Sequence, residues 1–356
     1  AVWKDILPEN SMWCFANHID FKRKIRAMYT NNGMYTSWAK KLQKHVLENF
    51  KEEDILDKML NSVIPETVLH KPEIIFVSDA FASQYRGGAE LSLQTIVETA
   101  PEDSRVGAVN CQNLTVDIIE ANKGAKWVFG NVAQLSPNII DYITNSDIQY
   151  SFVEFDYKFC KHRNPLLYEM VEGEPCDYLE TDKGSRFKSF MESAKSVFFM
   201  SESQKKIHED SLKLESDNCH VLSSLFADEF FSFIKNLENK TQNKNDEWVV
   251  LGSNSWVKGA EESEQWCKDK ELKYSVLWGL QPNEFLTKLA KSKGVCFLPS
   301  GLDTCPRFII EAKLLGCELK LNENVQHCGE EWFNKDKDEM IEYLKSRPAF
   351  FWENAF

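Results

Sequence analysis

The chain has 356 residues, of which 43% are hydrophobic, so it can form two or three domains with sizeable cores. Its net charge of −13 and pI near 5.2 exclude a general nucleic-acid binder, whose surface is basic. The same charge disfavours strong adhesion of the whole chain to anionic membrane, although it leaves a local basic patch open.

The cysteines and the N-terminus bear on the compartment. Ten cysteines are scattered without a C-x-x-C pair or a cluster at zinc-ligand spacing, which indicates reduced thiols. The sequence begins without a basic segment followed by an apolar one, and no apolar run approaches the roughly 20 residues of a membrane span. These features predict a soluble cytoplasmic protein.

Residues 1–70 are predicted to form a polar helical extension. Apolar residues recur there at four-residue spacing, which is typical of an amphipathic helix, at Trp38, Leu42, Val46 and Phe50. The helical pattern continues over 52–64 and stops before Pro65.

From Lys71 onward, strand patterns alternate with helix patterns. A strand at 73–81, a glycine-containing loop at 82–88 and a helix at 89–100 open like a Rossmann unit. Further strands are predicted at 104–110, 125–131, 148–156, 196–201 and 219–224, with helices at 115–122, 137–145, 186–194 and 202–211. This alternation predicts a parallel sheet that helices cover on both faces.

A polar segment at 236–247 is predicted to be a flexible linker to a second α/β series. Its strands are predicted at 247–253, 273–279, 294–300 and 317–322, and its helices at 258–270, 281–292 and 306–316. A last helix at 337–347 precedes an aromatic tail at 348–356. The predicted domains are 1–70, 71–235, 236–338 and a returning C-terminal part, 339–356. Two such domains leave a cleft, and ligands bind outside the carboxyl ends of the strands.

One stretch at that edge carries two carboxylates. It reads "LPSGLDTCPRFIIEAKLLGC" over 298–317, and seven residues separate Asp303 from Glu311. Asp303 follows a predicted strand, and Glu311 lies near the start of a predicted helix. A carboxylate accepts strong hydrogen bonds from sugar hydroxyls, and a helix N-terminus attracts phosphate. The stretch therefore predicts a site for a nucleotide with its ribose and phosphates.

This stretch resembles the acid pair of the retaining family-4 glycosyltransferases of the GT-B fold. Other landmarks follow in that family's order over about residues 72–356, namely "QYRGGAELSL" (84–93), "VVLGSNSWVKG" (249–259) and "LWGLQPNEFLTKLAKSKGVCFLPS" (277–300). The resemblance implies two Rossmann-like doubly wound domains that face a cleft. It also implies that the last helix returns to the first domain.

The resemblance implies a role for each matching residue. Lys258 and Asp303 would be catalytic, Lys258 at the donor phosphates and Asp303 at the sugar. Glu311 would hold the ribose, and the backbone of Gly279 and Leu280 would border the base. The other donor-binding residues would be Gly87, Gly88, Thr304, Cys305 and Arg307.

The resemblance further implies a hexosyltransferase that moves sugar from a nucleotide-sugar to a glycan, lipid or other acceptor, without metal or other cofactor. It leaves peripheral membrane association open. Two positions depart from the family pattern. Asp303 replaces a glutamate, and Ser253 replaces an arginine that Arg307 or Arg86 would have to compensate.

Simpler interpretations exist for each motif alone. Gly87 and Gly88 suit a helix-start turn, Lys258 suits a solvated side chain, and both acids suit a loop or a helix start. Two alternatives for the whole chain remain open. One is a non-catalytic relative that binds sugar nucleotides, and the other is a metal-dependent GT-A-type transferase that uses Glu154 and Asp156.

Overall fold

A computed structural model describes residues 17–49, 71–215, 217–241 and 243–356. The chain divides after His70 into two compact units. Phe50 and the predicted helix at 52–64 lie outside the described residues.

In the first unit, two helices follow each other with one residue between them. Helix α1 is His18–Thr30, and helix α2 is Asn32–Asn49. The side chain of Asn17 caps α1 by accepting hydrogen bonds from the backbone of Ile19 and Asp20. The described part of the predicted helical extension is therefore helical.

The second unit begins with a six-stranded parallel sheet. Its strands are β1 (Ile74–Ser78), β2 (Val106–Asn110), β3 (Lys126–Phe129), β4 (Gln149–Glu154), β5 (Ser196–Phe199) and β6 (Cys219–Val221). They lie in the order β2-β1-β3-β4-β5-β6, the doubly wound order of flavodoxin-like sheets. Its helices are α3 (Gly88–Glu98), α4 (Val116–Ala121), α5 (Pro137–Thr144), α6 (Pro165–Glu172), α7 (Asp182–Glu192) and α8 (Glu202–Leu212).

A second, four-stranded parallel sheet repeats this order in shorter form. After α9 (Asp228–Lys240) come β7 (Trp248–Leu251), α10 (Ala260–Asp269), β8 (Tyr274–Leu277), α11 (Pro282–Lys291), β9 (Gly294–Phe297), α12 (Arg307–Leu314) and β10 (Glu318–Leu321). The strands lie in the order β10-β9-β7-β8. The chain ends with α13 (Glu331–Asn334) and α14 (Lys337–Ala355).

The sequence explains why these elements form. Every residue of β1, β5 and β9 is buried, as expected of strands that helices cover on both faces. Helices α5 and α6 each begin with proline after a side-chain cap, at Ser136 and Asn164. Each cysteine in the described ranges is a free thiol.

The C-terminal helix differs from its predicted form. Pro348 suggested a helix end and a separate tail, but α14 continues through it to Ala355. Phe351 packs on Phe198 of the first sheet with ring centroids 4.7 Å apart, and Ser151 donates to the carbonyl of Ala355. Packing of the last two turns against that sheet therefore overcomes the unfavourable proline.

One further prediction needs correction, and one helix was not predicted. Helix α9 continues to Lys240, inside the predicted flexible linker, because Phe231 and Ile234 are buried on its apolar face. The sequence analysis also missed α6, although the Asn-Pro pair that begins it was visible in the sequence.

The predicted fold class is confirmed, since two doubly wound Rossmann-like domains face a cleft in the GT-B arrangement. Among the described helices, none is long and apolar enough to cross a membrane.

Candidate functional site

A cavity of about 400 Å³ lies where the two sheets face each other. Its lining comes from loops after the carboxyl ends of β1, β3, β4, β5 and β6 and of β7 and β9. Both sheets place their switch points here, between β1 and β3 and between β7 and β9. The cavity therefore occupies the position where doubly wound domains bind ligands, and its volume suits a small molecule.

Most of the predicted site residues meet in this cavity. Six of them are in its lining, namely Gly88, Lys258, Asp303, Thr304, Cys305 and Arg307. Gly87 directly precedes that set in the α3 loop. Among the described residues that line the cavity, Glu311, Gly279 and Leu280 do not appear.

Lys258 and Asp303 form an ion pair at the carboxyl edge of the second sheet. The Lys258 ammonium lies 2.7 Å from Oδ2 of Asp303, and the lysine side chain is 38% exposed. Lys258 ends a short 3-10 turn, and Gly259 follows at a φ of +60°. A Cβ at Gly259 would lie 1.8 Å from the carbonyl oxygen of Leu298, so only glycine fits there. The backbone thus presents Lys258 to the cavity.

The main chain of Asp303 is fixed on both sides. Its N–H donates to the carbonyl of Asn324 at 2.8 Å, and its carbonyl accepts from the N–H of Gln326 at 3.0 Å. Its carboxylate is nearly buried. Asp303 therefore holds Lys258 in place as well as facing the cavity.

Glu311 lies in the second turn of α12 and is not part of the cavity lining. Its side chain is 13% exposed, and Oε1 lies 3.8 Å from Nε of Arg307. Burial raises the pKa of Glu311 above its usual value, although Arg307 opposes the rise. The two predicted acids thus differ, since Asp303 faces the cavity and Glu311 is covered.

Arg307 links the two domains. Its guanidinium donates to the carbonyl of Leu225 and lies 4.0 Å from the ring centroid of Phe226. Burial lowers its pKa. The guanidinium of Arg307 already has these partners, so its predicted replacement of the arginine missing at Ser253 stays a prediction. Arg86, the other predicted replacement, is exposed in the loop before α3.

Other hydrogen bonds close the cleft beside Arg307. The Thr304 hydroxyl donates to the carbonyl of Phe155 at 2.9 Å, and the Ser224 hydroxyl donates to that of Cys305 at 2.8 Å. Asn164 pairs with the backbone of Leu302 by two hydrogen bonds. Burial raises the pKa of the Cys305 thiol to about 12, so this sulfur stays protonated and is no nucleophile at neutral pH.

The glycine pair begins α3. Gly87 is the N-cap residue and Gly88 the first helical residue, so the simpler helix-start interpretation also holds. A Cβ at Gly88 would come within 3.6 Å of the Arg307 side chain across the cleft. Glu90, buried in the same turn, accepts from Asn131 at 3.2 Å and already places negative charge at this helix start.

Gly279 and Leu280 follow the edge strand β8. Gly279 has a φ of +63° with open space around it, and Leu280 is exposed. Their predicted contact with a base stays a prediction.

The sequence analysis named Glu154 and Asp156 at the end of β4 but missed the buried charge cluster that they form with Lys158 and Arg163. The Lys158 ammonium lies 2.7 Å from Glu154 and 3.2 Å from Asp156, and Arg163 also pairs with Asp156. Burial alone would raise the pKa of Glu154, but Lys158 and His208 oppose it and lower the pKa to about 2. The four-residue spacing from Glu154 to Lys158 was the available signal.

This cluster bears on the GT-A alternative, which requires Glu154 and Asp156 as metal ligands. Both carboxylates already have cationic partners, and Glu154 is fully buried. His162, also a lining residue, lies 2.6 Å from Glu172 through Nε2. The pairing and the two-domain fold both argue against the GT-A interpretation.

Comparisons with known proteins return distant structural neighbours. No protein-family description matches the chain, and no curated protein sequence matches it at a significant level. HepE of Anabaena, solved with UDP and glucose, aligns at a TM-score of 0.45 and 11% identity over 80% of this chain and 95% of its own. The UDP-forming trehalose-phosphate synthase of Burkholderia xenovorans aligns at 0.40 and 8% identity over 68% of this chain and 69% of its own. TM-scores and identities this low carry no information about the ligand of this chain. The fold assignment is based on the strand orders of its two sheets.

Proposed function

We propose that this chain is a GT-B glycosyltransferase that moves a sugar from a nucleotide-sugar donor to a carbohydrate or lipid-linked acceptor. The observation that carries the proposal is the meeting of Lys258, Asp303 and the starts of α3 and α12 at one cavity. That cavity lies at the switch points of both sheets. The retaining course and independence from metal are part of the proposal and follow from the sequence resemblance.

The chemistry of the lining suits a diphosphate. The partly exposed Lys258 is a cation within reach of a ligand, and the first N–H groups of α12 are donors for an anion. Negative charge develops on the leaving diphosphate, so fixed positive groups there stabilise the transition state. Lys258 supplies this charge in the proposal, while Asp303 orients it.

Closure of the cleft supports transfer to an acceptor rather than to water. Thr304, Ser224 and Asn164 bridge the domains around the cavity. Exclusion of water strengthens electrostatic interactions inside and suppresses hydrolysis of the donor. Glu311 would hold the ribose. This requires the Arg307 side chain to move away from Glu311 when the donor binds.

A thermal-shift screen tests the donor site. UDP, GDP, ADP and their sugars are added with and without EDTA to the wild type and to Lys258→Met. A ligand at a hundred times its Kd stabilises the fold by about 2.7 kcal/mol. We expect one nucleotide-sugar to raise the Tm of the wild type, regardless of EDTA, and to lose that effect in Lys258→Met.

Two further variants sharpen the screen. Lys268→Met is the matched control, because Lys268 is an exposed lysine of α10 that also faces a carboxylate, Glu264, at 3.8 Å. It should keep the full shift, whereas Glu311→Ala should lose it. The donor site is refuted if no nucleotide stabilises the wild type, and a shift that EDTA abolishes would favour metal-dependent binding.

A second candidate is a protein that binds a nucleotide-sugar without turnover. Three observations favour it: Asp303 neutralises Lys258, Ser253 stands where the resembling family has arginine, and Arg307 is committed to Leu225. Incubation of the stabilising nucleotide-sugar with candidate acceptors, followed by assay of released nucleoside diphosphate, separates the two. If the wild type releases nucleoside diphosphate and Lys258→Met does not, the chain is a transferase. If the wild type binds the nucleotide-sugar tightly without releasing nucleoside diphosphate, it is a binding protein.

A further inference from the structure

Helices α1 and α2 expose large apolar side chains. On α1 these are Phe21, Ile25, Met28 and Tyr29, all of which are more than half exposed. Their positions follow the i, i+4, i+7, i+8 pattern, which places them on one face of the helix. Lys22 and Lys24 lie on either side of that face by the same geometry.

Helix α2 continues the pattern with a second apolar face. Trp38 is 56% exposed and Leu42 is 63% exposed, and Val46 follows at the same spacing. Tyr35 contacts Trp38 edge-on at 5.5 Å between ring centroids. Four-residue spacing keeps these side chains on one face.

The link between the helices prevents them from covering each other. Only Asn31 separates Thr30 from Asn32, whereas antiparallel helix pairs need loops of about two to five residues. No residue of α1 is buried. The two apolar faces are therefore available to a partner outside the described part of this unit.

The charge of this segment is opposite to that of the rest of the chain. Residues 17–49 contain seven Lys or Arg and two Asp or Glu, a net charge of +5. Residues 71–356 contain 32 Lys or Arg and 46 Asp or Glu, a net charge of −14. Helices with an apolar face and a lysine-rich polar face bind in the headgroup region of anionic membranes.

We propose that residues 17–49 form a surface that docks on an anionic lipid bilayer. Phe21, Ile25, Trp38 and Leu42 enter the headgroup and acyl boundary, where tyrosine and tryptophan are also favoured. Lysine stems extend along the apolar side while their ammonium groups reach lipid phosphates. This docking does not depend on what the cleft binds.

Co-sedimentation of the full chain with vesicles tests this surface. Vesicles of phosphatidylcholine alone are compared with vesicles that also contain phosphatidylserine, at low and high salt. We expect binding to the anionic vesicles that weakens with salt. Trp38→Ser with Leu42→Ser should lower the partition constant by more than about tenfold, since two large apolar side chains are lost. Lys22→Glu with Lys24→Glu should lower it by about thirtyfold or more.

The control removes apolar surface elsewhere. Met170 and Val171 are as exposed as Trp38 but lie on α6 among acidic residues, so Met170→Ser with Val171→Ser should bind like the wild type. All these substitutions are at exposed positions, so unchanged circular dichroism verifies the fold. The nucleotide screen on the same proteins reports the cleft separately.

Three results would overturn the proposal. One is equal or absent binding to the two kinds of vesicle. Another is wild-type binding by the Trp38 and Leu42 variant. The third is a wild type that does not bind vesicles and is a dimer in analytical ultracentrifugation, while the Trp38 and Leu42 variant is a monomer. The apolar faces would then join two copies of this chain.

Discussion

Each Rossmann-like domain pairs a lysine with carboxylate at the carboxyl edge of its sheet, Lys158 with two acids and Lys258 with one, but the two clusters differ in burial. In the first domain, Lys158 and Glu154 are fully buried and 2.7 Å apart. In the second domain, Lys258 and Asp303 are also 2.7 Å apart, but Lys258 is 38% exposed. The same pairing distance therefore occurs in two different dielectric surroundings.

The difference predicts a structural role for the first cluster and a binding role for the second. A buried charge that loses its partner is strongly unfavourable, so the first cluster has to remain paired. Water reaches the partly exposed Lys258 ammonium and screens its pair with the nearly buried Asp303, so this pair contributes less to stability than the first, and a ligand anion can approach the ammonium. This comparison predicts that Lys158 matters for folding and Lys258 for ligand binding.

The largest expected effect is that of Lys158→Met. Removal of the buried cation leaves Glu154 uncompensated and should destabilise the fold by about 3–5 kcal/mol. Lys258→Met should cost less, about 1–2 kcal/mol, because water reaches this pair, although the nearly buried carboxylate of Asp303 loses its cation. Urea unfolding of the two variants measures both. Equal losses would erase the distinction between the clusters, and addition of Glu154→Leu to Lys158→Met should recover most of the stability.

Acid should expose the same difference. The folded-state pKa of Glu154 is about 2, below its ordinary value of 4.5, so its contribution is present above pH 4.5 and is lost as pH falls toward 2. The free energy of unfolding should therefore fall more steeply over this window in the wild type than in the double variant Glu154→Leu with Lys158→Met. Parallel curves for the two proteins would show that Glu154 is not stabilised by its surroundings.

A smaller effect is expected where the two domains meet. Asn164→Ala removes two hydrogen bonds to the backbone of Leu302, which should destabilise the closed cleft by about 1–2 kcal/mol, and it also removes the N-cap of α6. Faster amide exchange at Leu302 and neighbouring residues would report this opening. Asn322→Ala, which removes a bond to Pro299 within the second domain, is the control and should leave interdomain exchange unchanged.

The smallest effect is expected at Gly279. Its φ of +63° makes alanine unfavourable by about 1 kcal/mol, but no atom lies within 4 Å of the added Cβ. Gly259→Ala should cost more, since that Cβ meets the carbonyl of Leu298. Thermal unfolding compares them. A larger loss for Gly279→Ala would contradict the assigned roles of the two glycine turns.

The sequence predicted strands better than helix ends. The buried run at 73–81 contains β1, Ile74–Ser78, because continuous apolar residues mark a strand that helices cover on both faces. Its end was overestimated, since Phe81 is apolar but lies in the loop beyond the hydrogen-bonded register. The predicted helix end before Pro348 was wrong, because contacts with Phe198 stabilise the helix beyond it.

For the candidate site, the sequence supplied the residues but not their partners. The order of the glycine pair, Lys258 and Asp303 is visible in the chain, and so is the position of each after a strand. The pairing of Lys258 with Asp303 joins residues 45 positions apart, and that of Arg307 with Leu225 joins residues 82 apart. Local patterns cannot contain such contacts. The first arises when β7 and β9 become neighbours in one sheet, and the second arises only when the two domains meet.

The sequence by itself thus determined the alternation of strands and helices, the opposite charges of 17–49 and 71–356, and the residue types at the cleft. These follow from periodicity and composition, which are local properties of the chain. Only the tertiary structure decided which acid is covered, which lysine is buried and which arginine crosses the cleft. Burial and charge pairing depend on distant segments, and they distinguish Lys158 from Lys258, although each lies near an acid-containing loop.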